Sequence, residues 1–180
     1  RVRRHDGMGS FILNDIFKNY INGELVAGNG DEINVTNPKD ETSAGKFRAV
    51  DDKQALLALK AAEKAFKSWS ELSIVQRQEH IIRLTEAIEE EKENIMNILI
   101  SETGKPRSNA EYDYQMLPDC LRYFNEEIKR ISGSIIGDYN NTHRNFIIRK
   151  PVGVVLCYLA WNFPLLNVGY KLGPVLASGC

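Results

Sequence analysis

Between residues 20 and 50, apolar and polar positions alternate, which predicts short β-strands rather than helices. Residues 20–26 place Asn22-Gly23 between apolar residues, and this dipeptide favours the positive φ angles of a type I′ hairpin turn. Further strands are predicted over residues 33–36, ended by Asn37-Pro38, and over residues 45–50. The pattern therefore predicts β-hairpins before the first helix.

From residue 51 onwards, apolar positions recur at three- and four-residue steps, which is the period of an α-helix. Asp51 followed by Gln54, and Ser73 followed by Gln76, each form the sequence signature of a capping box at a helix start. The predicted apolar faces of these two helices are Leu59, Ala62, Phe66 and Trp69, and then Ile81, Leu84 and Ile88.

A third helix is predicted to end near Ser101, where Gly104 can cap its C-terminus, and Pro106 suits the first position of a fourth. Pro118 interrupts the fourth helix because proline removes one backbone hydrogen bond. The apolar stripe nevertheless keeps its phase across this proline, which predicts one kinked helix rather than two. The stripe consists of Ala110, Tyr114, Leu117, Leu121, Phe124, Ile128 and Ile131.

The last fifty residues return to strands before a final helix. Residues 134–139 and 143–150 predict two strands joined at Asn140-Asn141, with many charges and few apolar positions, which indicates an exposed ribbon able to pair with another chain. Residues 152–159 are continuously apolar, as in a strand buried on both faces of a parallel sheet. Pro164 then opens a helix that is predicted to run to about Ser178.

Composition narrows the class of protein. The 180 residues contain 23 Lys and Arg against 24 Asp and Glu, and this balance argues against a nucleic-acid partner. No apolar run reaches the roughly 18 residues of a membrane-spanning helix. Cys120, Cys157 and Cys180 form no CxxC motif, which indicates reduced thiols in the cytoplasm and no metal site. Residues 1–10 are set aside as a tag or disordered leader.

Asn162 is the first candidate for chemistry, because it follows the apolar strand and precedes the last helix. Ligands in open α/β sheets gather at the carboxyl ends of strands, where helix N-termini point their N–H groups. An asparagine amide there can donate hydrogen bonds to a developing oxyanion. From spacing alone, the other interpretation, a turn asparagine that bonds its own backbone, is favoured.

Several blocks of the chain resemble the NAD(P)-dependent aldehyde dehydrogenases, and they occur in that family's order. The most specific block is Trp161-Asn162-Phe163-Pro164-Leu165 together with the helix that follows it. This match favours the interpretation of Asn162 as an oxyanion donor over that of a turn asparagine. The supporting blocks are residues 20–23, 37–38, 61–69, 102–106, 148–155 and 171–180.

The resemblance implies oxidation of an aldehyde to a carboxylic acid with NAD or NADP, through a cysteine thiolate that adds to the carbonyl carbon. It makes Asn162 a catalytic donor to the resulting oxyanion. It further implies that Leu159, Ala160 and Trp161 contact the cofactor and that Phe163 and Tyr170 line the substrate pocket. The family's nucleophile and glutamate base match no position here, Cys180 included, so the chain is expected to be a fragment that is inactive alone.

The expected fold is an incomplete α/β Rossmann-like cofactor domain with a protruding ribbon arm. Its predicted parts are residues 11–132 as the N-terminal part of the cofactor-binding domain, residues 133–150 as the oligomerisation ribbon, and residues 151–180 as the start of the Rossmann-like sheet. The resemblance also implies a homodimer or homotetramer. Two positions depart from the family, with Ala160 in place of a proline and Tyr170 where succinate-semialdehyde members have arginine. The alternatives are a non-catalytic assembly module and a generic helical nucleotide-binding domain.

Overall fold

The computed structural model describes residues 16–180, which form two small sheets, an extended ribbon and five α-helices. The strands are β1 Ile16–Phe17, β2 Asn19–Ile21, β3 Glu24–Val26, β4 Glu32–Thr36, β5 Ser43–Arg48, β6 Ser134–Gly137 and β7 Arg144–Ile147. The helices are α1 Asp52–Glu71, α2 Ile74–Glu90, α3 Lys92–Thr103, α4 Arg107–Glu127 and α5 Pro164–Ser178, with a 3₁₀ turn at Ile128–Arg130. The predicted leader and residues 11–15 lie outside the described residues.

The predicted hairpins are confirmed. Strands β2 and β3 pair antiparallel around Asn22 and Gly23, whose φ angles of 53° and 85° are those of the expected turn. Strand β4 pairs antiparallel with β5, and β1 joins β5 in parallel, giving the order β1-β5-β4. The third predicted strand was misplaced by two residues, because β5 begins at Ser43 and ends at Arg48.

Both predicted capping boxes start their helices. The Gln54 backbone N–H donates to Asp51 Oδ1 over 2.8 Å, and the Gln76 N–H donates to Ser73 Oγ over 3.3 Å. Gly104, at φ 68°, ends α3 in the left-handed conformation as predicted. Pro106 is the N-cap of α4 rather than its first helical residue, because its ψ of 146° is extended.

Helix α4 continues through Pro118 as one helix, so the prediction of a single helix is confirmed and its kink stays a prediction. Its apolar stripe is buried from Ala110 to Ile128, with Phe124 partly exposed, and two adjoining core clusters surround it. The Tyr114 hydroxyl donates to the Ile88 carbonyl over 3.0 Å, which joins α4 to α2. The prediction that Ile131 belongs to this buried stripe is wrong, because Ile131 lies beyond the 3₁₀ turn and is 48% exposed.

Helices α4 and α5 make the most extensive contact in the fold, and two glycines allow it. A Cβ atom at Gly169 would lie 2.8 Å from Cys120 Cβ and 3.3 Å from the Leu117 Cα. A Cβ atom at Gly173, one turn further on, would lie 2.7 Å from the Phe124 ring. Side chains at either position would force the helices apart.

Gly169→Val should therefore lower the free energy of unfolding by about 1–3 kcal/mol, because its side chain meets the backbone of α4. Urea denaturation followed by circular dichroism measures this change. Gly137→Val is the matched control, since a Cβ atom at that exposed strand position meets nothing within 4 Å. Equal stability of the two variants would contradict the close-packing account.

The prediction of an exposed ribbon is confirmed, whereas the prediction of a buried strand after it is wrong. Strands β6 and β7 pair antiparallel, and all eight of their residues are exposed. Residues 152–159 instead belong to no helix or strand, and Val152, Leu156 and Tyr158 are largely exposed. A strand needs the backbone of a neighbour for its hydrogen bonds, and within residues 16–180 none runs beside this segment.

Candidate functional site

The irregular segment before α5 carries five of the six predicted site residues. Leu159, Ala160, Trp161 and Asn162 are exposed, with Trp161 at 85%, whereas Phe163 is half-buried. Residues 161–163 form a bend that leads directly into Pro164, the first residue of α5. The structure therefore brings these predicted residues together on one accessible turn.

Phe163 is the N-cap of α5, although its side chain has no oxygen that could cap the helix. Helix N-termini leave N–H groups without intrahelical partners, and a side-chain oxygen of the N-cap residue usually accepts from one of them. In α5 the acceptor comes from α4 instead, because Asp113 Oδ1 accepts from the Leu166 N–H over 2.9 Å. A carboxylate from another helix thus fixes the start of α5.

Asp113 also forms a buried ion pair. Lys105 Nζ donates to Asp113 Oδ2 over 2.7 Å, and the side chains are 13% and 0% exposed. The same ammonium lies 4.0 Å from the centroid of the Phe163 ring, within the range of a cation–π contact. Tyr112 packs edge-to-face with Phe163, with the two ring centroids 6.5 Å apart.

Neither Asp113 nor Lys105 was identified from the sequence, although one signal was present. Asp113 follows Ala110 by three residues and precedes Leu117 by four, so it occupies a position of the buried stripe. A charged residue on a buried face needs a partner, and Lys105 in the preceding loop was within reach. That combination would have predicted the ion pair.

One of the N–H groups that the start of α5 could offer to a ligand is already bonded within the fold. The Leu166 N–H donates to Asp113, while the Asn167 N–H makes the first bond within the helix, to the Phe163 carbonyl over 3.0 Å. Pro164 has no N–H to offer. A carboxylate already at this helix end also disfavours a second anion there. The start of α5 therefore has one N–H donor fewer for a ligand.

Asn162 has no hydrogen bond from its amide to its own turn among residues 16–180, where Asn167 is the asparagine that bonds the Phe163 carbonyl, over 2.9 Å. The interpretation of Asn162 as a turn asparagine serving its own backbone has no such bond to support it. Its exposed amide carries two N–H donors on an accessible turn. The geometry therefore permits donation to a bound oxygen.

Tyr170 is separated from the other predicted site residues. It lies seven residues after Phe163 in α5, roughly 10 Å along the helix axis, and its side chain is exposed. The next residue, Lys171, donates from Nζ to the Tyr158 carbonyl, which ties the irregular segment to α5. An open groove of about 420 Å³ lies between the irregular segment and α5. It is lined by Val155, Leu156, Cys157, Tyr158, Lys171, Pro174 and Val175.

The Cys120 and Cys180 thiols differ in their surroundings. Burial raises the pKa of the Cys120 thiol, and the nearby Asp119 raises it further, which favours the unreactive thiol form. Burial also opposes ionisation of Cys180, but hydrogen bonds from the Ser178 hydroxyl and from backbone N–H groups of Val152 and Gly153 bring its pKa below the usual value. In the part of the chain that is described, no group of three His, Cys, Asp or Glu residues could hold a metal ion.

None of the helices in residues 16–180 has both the length and the apolar character needed to cross a bilayer.

Comparison with known proteins identifies relatives along most of the chain. The profile of the Aldehyde dehydrogenase family matches residues 25–180. Glutarate-semialdehyde dehydrogenase of Pseudomonas putida is 34% identical over 162 residues, which cover 89% of this chain and 34% of that protein. Succinate-semialdehyde dehydrogenase [NADP(+)] of Escherichia coli is 32% identical over 161 residues, covering 89% and 33%.

A solved structure shares the fold. A variant of betaine aldehyde dehydrogenase from Staphylococcus aureus, in complex with NAD⁺, superposes with a TM-score of 0.81 at 28% identity. The match covers 89% of this chain and 33% of that one. The chain thus spans about a third of the length of the relatives that it matches.

Proposed function

Because the chain belongs to the aldehyde dehydrogenase family, we propose that it supplies the oxyanion-binding turn of an enzyme that oxidises an aldehyde to a carboxylic acid with NAD or NADP. The observation that carries this proposal is the position of Asn162. Its amide is exposed on a turn whose end, where α5 begins, is held by the buried Asp113–Lys105 pair, and it makes no hydrogen bond to that turn. Such a fixed donor is what oxyanion stabilisation requires.

The proposed role of Asn162 is to favour the transition state over the bound aldehyde. When a thiolate adds to the carbonyl carbon, the carbonyl oxygen gains a full negative charge. The Asn162 amide donates a hydrogen bond to that oxygen without changing its own charge. A donor of this kind contributes on the order of 3 kcal/mol of transition-state stabilisation. Phe163, packed beneath Lys105 and beside Tyr112, would line the substrate side of the turn.

The residues before Asn162 fit a nicotinamide cofactor. Leu159, Ala160 and Trp161 are exposed, and their backbone groups are not used in a sheet. They therefore offer apolar surface for a ring and free N–H and C=O groups for an amide. The cofactor supplies the hydride acceptor when it is bound. Its phosphates should lie away from the start of α5, where Asp113 already accepts from the Leu166 N–H.

The test of this function is an assay of the polypeptide translated from the whole reading frame that contains these 180 residues, hereafter the complete gene product. We expect aldehyde-dependent reduction of NAD or NADP with at least one of acetaldehyde, propanal and succinic semialdehyde. The 180 residues alone should show none, because no position of theirs matches the family's nucleophile or base. Cofactor-dependent turnover by the 180 residues that survives substitution of Cys120, Cys157 and Cys180 would contradict this expectation.

We also propose that residues 133–150 form an arm through which copies of the complete gene product assemble into a homodimer or homotetramer. The support is the exposure of both strands, with Ile135 and Phe146 each about two-thirds exposed. An exposed two-stranded edge carries unpaired backbone groups that another chain can complete. With three unpaired cysteines among residues 16–180, a reducing cytoplasmic location fits best.

Deleting residues 137–144, the turn of this ribbon and its flanking strand ends, should lower the oligomeric state of the complete gene product. Light scattering measures the mass of the assembly. Asn140→Ala keeps both strands and is the control that should leave the mass unchanged. An unaltered mass after the deletion would count against the arm.

A further inference from the structure

Asp113 lies on the buried face of α4 although it carries a charge, and its contacts lead to the turn before α5. One carboxylate oxygen accepts from the Leu166 N–H over 2.9 Å, across a sequence separation of 53 residues. The other accepts from Lys105 Nζ over 2.7 Å, and the Asp113 side chain is 0% exposed. A single carboxylate therefore joins α4, the loop before it and the start of α5.

Phe163, the residue after Asn162, is held by the same carboxylate through Lys105. The Lys105 ammonium lies 4.0 Å from the centroid of the Phe163 ring. An ammonium over an aromatic face is attracted by the ring quadrupole, and this attraction strengthens when water is excluded. Asp113 thus restrains the turn twice, through the helix that follows it and through the side chain of its last residue.

We propose that Asp113 is a positioning residue for Asn162, and this inference rests on the proposed function of that asparagine. Oxyanion donors act only when they are held close to the productive geometry, and a displacement of about 1 Å can cost on the order of 10²-fold in rate. Phe163 has no oxygen of its own to cap α5. Without the Asp113 acceptor, the first turn of α5 would fray and the Asn162 amide would lose its fixed direction.

Two double variants isolate the acceptor from the buried charge. Lys105→Met/Asp113→Asn removes both charges but keeps an amide oxygen that can accept from the Leu166 N–H. Lys105→Met/Asp113→Ala removes both charges and the acceptor. Neither leaves an unpaired charge in the core, so both avoid the main cause of misfolding after a single substitution. Glu126→Ala/Lys129→Met, which removes an exposed ion pair of the same helix region, is the matched control.

The kinetic test places these variants in the complete gene product, with and without Asn162→Ala. With Asn162 present, Lys105→Met/Asp113→Ala should lower kcat/KM about tenfold relative to Lys105→Met/Asp113→Asn, and the loss should appear in kcat. In the Asn162→Ala background the same comparison should give less than about a twofold difference, because Asp113 acts through that amide. Equal losses in both backgrounds, or no loss in either, would overturn the proposal.

Hydrogen exchange at the Leu166 N–H, measured by NMR on the 180 residues, gives a readout that needs no activity. Exchange should be about tenfold faster in Lys105→Met/Asp113→Ala than in Lys105→Met/Asp113→Asn, because only the latter keeps the hydrogen bond. The control pair should exchange as the unaltered protein does. Equal exchange in the two double variants would overturn the proposal. Absence of aldehyde oxidation by the unaltered complete gene product would instead refute the proposed function, while the exchange rates still decide whether Asp113 holds the turn.

Discussion

Replacing Asn162 by alanine in the complete gene product should lower kcat/KM for its aldehyde by about 10²-fold or more. The alanine side chain has no donor for the oxygen that gains charge when the thiolate adds. Asn162→Asp should lower kcat/KM further, since aspartate keeps the shape but replaces the NH₂ group with an oxygen that repels the oxyanion. Steady-state kinetics with a saturating cofactor concentration measure both changes.

The matched control for this pair is Asn109→Ala. Asn109 is an exposed asparagine in the first turn of α4, so its replacement removes an amide of the same kind from a surface away from the turn. It should leave kcat/KM within about twofold of the unaltered enzyme. If Asn162→Ala changed kcat/KM no more than Asn109→Ala does, the amide would not be an oxyanion donor.

Asp113→Ala should lower the free energy of unfolding of the 180 residues by about 3–5 kcal/mol. The substitution leaves the Lys105 ammonium, 13% exposed, without its charged partner, and it removes the acceptor for the Leu166 N–H. Removing one member of a buried pair costs more than removing both, because a lone charge remains in the core. Urea denaturation followed by circular dichroism measures the loss.

Lys105→Met/Asp113→Asn should recover most of that loss, because it leaves no unpaired charge and keeps an acceptor near Leu166. Asp119→Ala is the control on the same helix, where the ion pair with Arg122 is about half exposed and contributes about 1 kcal/mol or less. A loss for Asp113→Ala no larger than that for Asp119→Ala would mean that the buried pair does not stabilise the fold.

Elements specified by nearby residues were predictable from the sequence. The turn at Asn22-Gly23 and the two capping boxes each depend on contacts within a few residues, and the structure confirms them. The single helix across Pro118 also followed from the phase of its apolar stripe. Local chemistry was sufficient in all these cases.

Elements that depend on distant partners were not predictable in the same way. Apolar content alone indicated a buried strand at residues 152–159, but a strand forms only beside another strand, and residues 16–180 provide none there. The cap of α5 likewise comes from Asp113, so no motif near Phe163 in the sequence predicts it. Asn162 was identified through resemblance, whereas the pair that supports its turn became apparent only from the packing of α4 against α5.

The most direct test of the central claim compares two quantities for Asn162→Ala in the complete gene product: kcat/KM for the aldehyde, and the Kd of NAD or NADP measured by calorimetry. If the amide faces the aldehyde oxygen, kcat/KM falls by about 10²-fold and the cofactor Kd changes less than about threefold. Near-normal turnover combined with a greatly weakened cofactor Kd would contradict the account, because Asn162 would then be a cofactor-binding residue of the turn.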